Sequence, residues 1–140
     1  MAGEEFGVKW RLELEGLPRL QGDCVHWRIR AKERKGWHNA VAWAVRACGV
    51  PPPSVVLSQA RITVTRYSSA NVSPDADNLA YAAKPLIDGL IGLLIANDTP
   101  ACIGTPVYRW EKTKRGGGRV TLTVATMSPE ERCPTCGREM

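Results

Sequence analysis

The chain opens on a two-residue alternation. Phe6, Val8, Trp10, Leu12 and Leu14 interleave with Gly7, Lys9, Arg11, Glu13 and Glu15, which is the pattern of a half-buried strand, and Gly16-Leu17-Pro18 ends it. A helical period follows. Trp37, Ala40, Val41, Ala44, Val45 and Cys48 recur at the three- and four-residue spacings of one helix face, and Gly49 with Pro51 supplies the stop. A basic run from His26 to Lys35 leads into that helix. Ala60, Ile62 and Val64 then alternate with Arg61, Thr63 and Thr65, a second strand rich in β-branched residues. Asn78 to Ile95 reads as a second helix with Leu79, Leu86, Leu90 and Leu93 on one face. Pro85 either kinks this helix or restarts it near its first position. Val107 to Lys114 and Val120 to Ala125 read as two further strands, and Gly116-Gly117-Gly118 between them predicts a hairpin.

This order predicts an α+β fold, one mixed four-stranded sheet with two main helices packed on it. No repeat or linker divides the chain, so residues 1–126 form a single domain and residues 127–140 a short tail.

Composition adds a partner class. Lys plus Arg is 19 against 14 Asp plus Glu, a formal charge of +5. A basic surface favours phosphate-bearing partners through counterion release. The longest apolar stretch, Pro85 to Ala96, is interrupted by Asp88 and too short to span a bilayer, so no membrane partner is expected. Met1-Ala2-Gly3-Glu4-Glu5 lacks the apolar core of a secretory signal, and Ala2 stands where N-myristoylation needs Gly. Five cysteines, an odd number without framework spacing, predict a reducing, cytoplasmic setting.

Against this basic background the acids Asp75, Asp77 and Asp98 stand out. Two carboxylates one residue apart in an extended segment point the same way and can share a hard cation. Their oxygens suit Mg²⁺, or Mn²⁺, which keep several waters and take one or two carboxylates plus substrate phosphate. The same residues also suit turn chemistry, with Asp77-Asn78 capping the helix. The following helix favours the first use. At about 100° per residue from Asp77, Lys84 falls near −20° and Asp88 near +20°, on a polar stripe opposite the leucines. A lysine there can pair with carboxylates or stabilise charge on a phosphate under attack.

Ser73-Pro74-Asp75-Ala76-Asp77-Asn78-Leu79, Lys84-Pro85-Leu86-Ile87-Asp88-Gly89-Leu90 and Ile95-Ala96-Asn97-Asp98-Thr99, in this succession, resemble the RusA family of Holliday junction resolvases. Leu17-Pro18, His26-Trp27-Arg28 and the strand from Ala60 to Tyr67 are similar to flanking parts of that family, and the resemblance covers most of residues 8 to 125. It implies a RusA-like domain and a homodimeric, Mg²⁺-dependent endodeoxyribonuclease that cuts branched DNA. Such an enzyme resolves four-way junctions by paired symmetric nicks in recombination and repair. It further implies that Asp75, Asp77 and Asp98 bind the metal and act in catalysis with Lys84, and that Asn78, Asp88 and Asn97 support them. The chain departs from the family pattern twice. Tyr81 stands where the family lysine usually comes, with Lys84 one near-turn later, and Asn97 stands where Asp is common.

Arg28, Arg30, Lys32, Arg34 and Lys35, with Arg109, Lys112, Lys114 and Arg115, are the candidates for contact with the DNA backbone, which positions a duplex without reading its sequence. Trp27, within the basic run, is a candidate for base stacking. Cys133-Pro134-Thr135-Cys136 has the form of half a structural Zn²⁺ site, which a dimer or the pair Cys24 and His26 would complete. Two free thiols in a tail are the alternative. Two competing functions remain open on the sequence: a non-catalytic DNA-binding module of the same fold, and a small metal-dependent phosphohydrolase of free nucleotides.

Overall fold

The structure, a computed structural model, describes residues 8–20, 26–114 and 117–126. Its elements run β1 (Lys9–Glu15), α1 (Trp27–Ala47), β2 (Ala60–Ser68), α2 (Ala76–Leu90), α3 (Pro100–Ile103), β3 (Val107–Lys112) and β4 (Arg119–Thr126). The expected class holds: one mixed four-stranded sheet with helices packed against it.

The sheet order is β1-β4-β2-β3, with β4 antiparallel to both β1 and β2, and β3 parallel to β2. The expected hairpin between the last two strands is therefore absent, because β2 lies between them. A parallel β2–β3 pair needs a crossover, and α2 with α3 supplies it. Gly118, just before β4, serves a different contact. A Cβ on Gly118 would stand 3.0 Å from Leu17 Cγ, and Gly118 O accepts from Gly16 N at 3.1 Å. Gly118 has no room for a side chain where it passes Leu17, just beyond β1.

Register explains the core. Trp10, Leu12 and Leu14 stand opposite Val124, Leu122 and Val120, and Ile62 and Val64 stand opposite Val124 and Leu122. All eight side chains are buried. They meet Val41 and Val45 of α1 and Ala83, Leu86, Ile87 and Leu90 of α2. The opposite face of the sheet carries Arg11, Glu13, Thr63, Thr65, Thr121 and Thr123 at the alternate positions. β3 is an edge strand with a mostly exposed pattern and the charges Arg109, Glu111 and Lys112, a composition that discourages edge pairing.

Both main helices differ in extent from their sequence pattern. The basic run does not precede α1; it is the first part of α1, with His26 as N-cap accepting from Arg28 N at 3.1 Å. Lys and Arg are good helix formers, so the charge does not oppose the helix. α2 runs unbroken through Pro85 and ends at Leu90, short of the expected Ile95. Gly92 at φ +87° turns the chain, and Leu90 O accepts from Leu93, Leu94 and Ile95 N. Leu57 N then donates to Leu94 O at 2.8 Å, and Ala96 N to Leu57 O at 2.9 Å. This anchoring buries Leu94 and Ile95 and leaves Leu93 on the surface.

Candidate functional site

The site is built on α2. Asp75 is its N-cap, with Oδ1 accepting from Asn78 N at 2.9 Å, so the capping residue is the first acid of the pair and not Asp77-Asn78. Asp77 lies in the first turn, where a carboxylate also complements the helix dipole. Both acids are exposed. Leu79, Ala83, Leu86 and Leu90 are buried, which leaves Asp77, Tyr81, Lys84 and Asp88 along the outward stripe, as the angular reading requires. Asn78 is half-buried, with Oδ1 enclosed and accepting no hydrogen bond.

Asp98 reaches this stripe from the segment beyond α2. Lys84 Nζ donates to Asp98 Oδ2 at 2.9 Å and to Asp88 Oδ1 at 3.2 Å. Asn97 Oδ1 accepts from Asp98 N at 2.8 Å and fixes the turn that presents it. Lys84 is thus the lysine placed among acids, and Tyr81 sits one turn earlier on the same stripe. The structure brings Asp98 to Lys84 and Asp88. Among the described residues, no group of three or more His, Cys, Asp or Glu side chains stands close enough to share a metal ion.

The charges hold one another. The hydrogen bond from Lys84 lowers the Asp98 pKa below the usual carboxylate value. The bonds to Asp98 and then Asp88 raise the Lys84 pKa above the usual lysine value. By linkage, the Asp98 contribution to stability is present above the unfolded carboxylate pKa and lost as pH falls through the lowered one. The Lys84 contribution is present below the unfolded lysine pKa and lost as pH rises through the raised one. The cluster is therefore intact and Lys84 cationic throughout the neutral range. Lys84 is 65% exposed, so the pairing stabilises the fold by at most about 1 kcal/mol. Tyr108 on β3 is buried enough that its phenol pKa is raised, an effect partly opposed by the charge of Lys84.

The basic candidates divide between faces that the sequence order does not reveal. Measured from Arg28 at about 100° per residue, Lys32, Lys35, Asn39, Trp43 and Arg46 lie within roughly 60° of one line. All six residues are exposed. Arg30 and Arg34 are turned some 200–240° away and face α2. There a cleft of about 530 Å³ is lined by both, together with Trp37, Tyr81, Lys84 and Pro85. Arg19 and Glu33 also border it, paired at 2.8 Å. Arg109 shares its register with Thr65, on the sheet face away from the helices. Lys112 donates to Asn71 at 3.0 Å, and Lys114 is exposed beyond β3. Arg115, Cys24, Cys133 and Cys136 lie outside the described residues. Trp27 is 66% exposed, stacked on His26 with Arg28 over its ring. Trp43 and Arg46 repeat that arrangement at the other end of the stripe, and extending the helical period from Arg28 would have found them.

No helix among the described residues is long and apolar enough to cross a membrane. The chain matches no family model, and no curated protein matches it.

Proposed function

We propose that this chain is a Mg²⁺-dependent, structure-selective endodeoxyribonuclease that resolves four-way DNA junctions by paired nicks and works as a homodimer. The observation that carries the reading is the contact of Lys84 with Asp98 at 2.9 Å. It joins the third sequence block to the stripe of α2 that begins at Asp77, about 10 Å of helix rise before Lys84. That contact supports reading the second and third of the blocks that resemble the RusA family as parts of one site.

The donor set suits a hard cation in kind. Asp75 and Asp77 are exposed carboxylates at the head of α2, and Mg²⁺ takes one or two such groups with waters and substrate phosphate. Asp75 and Asp77 would hold it, while Asp98 stands apart from that pair, with Lys84 and Asp88. Bound there, Mg²⁺ supplies Lewis-acid polarisation of the phosphate and a water of lowered pKa. The chain supplies the rest. Lys84, cationic at neutral pH, offers fixed positive charge to the phosphate as it gains negative charge. Asp88 and Asp98 aim that ammonium. Arg28, Lys32 and Lys35 hold the duplex backbone without reading bases.

The test is nicking of a synthetic four-way junction against a linear duplex of the same sequence, with and without Mg²⁺. Wild type is expected to nick the junction only with the metal, at symmetric positions, and Asp77→Asn to bind without cutting. If the two proteins bind junction equally and neither cuts, the chain is a binding module and the nuclease proposal fails.

A further inference from the structure

We infer that the cleft between α1 and α2 receives a single nucleotide extruded from DNA, its base against Trp37, Tyr81 and Pro85 and its phosphate against Arg34 and Lys84. This deepens the nuclease reading and rests on it. The cleft has about 530 Å³, within the range of small-ligand sites. Its lining has two characters side by side, flat apolar surface and fixed cations. Two aromatic rings and a proline would have no use for a bare phosphate. An apolar peptide would leave Arg34 without a counter-charge.

The acids of the cleft are already engaged. Glu33 takes Arg19 through both carboxylate oxygens, at 2.8 and 3.0 Å, and Asp88 accepts from Lys84. Arg34 is exposed and has no ion-pair partner among the described residues. Arg34 is therefore open to an anionic ligand, beside the Lys84 ammonium that Asp88 and Asp98 hold. The ligand that matches a stacking surface beside positive charge is a nucleotide. A paired duplex does not present a base to such a recess, whereas an unstacked nucleotide at a branch point does, and extrusion is cheapest where pairing is already broken. Lys84 belongs to both the cleft and the acidic cluster, so a nucleotide seated here would lie beside the proposed cutting site. It would tie recognition of the branch to the position of the cut.

The test is equilibrium binding in EDTA, where no cutting occurs, of a four-way junction and of the same junction with abasic tetrahydrofuran residues at the branch. Wild type is expected to bind the abasic junction about tenfold more weakly, within the range of one base–aromatic stack. Tyr81→Ala is expected to bind both junctions alike, and Tyr81→Phe to restore the difference. Tyr81 is 39% exposed, so neither substitution threatens the core. Equal binding of the two junctions by wild type overturns the inference while leaving the nuclease reading to the nicking assay. A difference that survives in Tyr81→Ala overturns it as well. Tyr81-dependent binding of thymidine 5′-monophosphate without affinity for branched DNA would overturn both the extrusion and the nuclease reading, and leave the cleft a site for free nucleotides. Absence of binding to DNA and nucleotide alike overturns both.

Discussion

Asp75 has two uses that a single substitution pair separates. Its side chain caps α2 through Asn78 N, and the same carboxylate is proposed to bind Mg²⁺. Asn is as good an N-cap as Asp, while Ala costs about 1 kcal/mol at such a position. Asp75→Asn is therefore expected to unfold in denaturant within a few tenths of a kcal/mol of wild type and to lose Mg²⁺-dependent nicking. Asp75→Ala is expected to lose nicking and about 1 kcal/mol besides. Chemical denaturation beside the nicking assay checks both, and an Asn variant that still cuts would leave Asp75 with its capping role alone. Lys84 shows the same economy. Its ammonium is held by two acids from different parts of the chain, and a lysine bound in this way points in one direction.

Among the elements, the packing of α1 on α2 sets the cleft. The two helices approach closely at Gly89, where a Cβ would stand 3.3 Å from His38 Cα and 3.3 Å from Val41 Cβ. The neighbour is helix backbone, which cannot swing aside as a side-chain tip can. Gly89→Val is expected to force the helices apart and to destabilise the protein by about 1–3 kcal/mol, more than offsetting the cost of a glycine within a helix, about 1 kcal/mol. A lower denaturation midpoint with an unchanged slope checks this. The extent of α2 is likewise a matter of packing. The leucine pattern continues past Leu90, but the bonds between residues 94–96 and Leu57 take the chain into the core at a new angle.

For the molecule as a whole, the net charge of +5 has a spatial form. One row of cations runs along the outside of α1, and a second group faces the cleft. Binding to the DNA backbone releases counterions, so the outer row should govern salt dependence. Replacing Arg28, Lys32 or Lys35 by Ala is expected to reduce the slope of log K against log salt by about 0.9 for each phosphate no longer neutralised, with little change in preference for a branch over a duplex. Fluorescence anisotropy across a salt series measures both. A slope that does not change would move the duplex to another face, of which the polar side of the sheet, with Arg109, is the next choice.

Periodicity was enough to locate the strands that carry Trp10 and Ile62 and the buried faces of both helices, because side chains repeat every two residues in a strand and every 3.6 in a helix. It was also enough to place Lys84 and Asp88 on the stripe of Asp77, since angle along a helix depends only on residue number. The partner of each strand was a different matter. A run of glycines between two strand patterns looks like hairpin chemistry whether it joins neighbours or, as at Gly118, brings the chain against Leu17, and competition for the edges of β2 decided the outcome. The end of α2, the splitting of the α1 cations between two faces, the arrival of Asp98 at Lys84 and the cleft beside Tyr81 all depend on contacts between residues far apart in the chain. Local pattern determined the elements and the faces they bury, whereas only the tertiary structure decided which faces meet, because that choice is made by packing of the assembled core and not by any short stretch of residues.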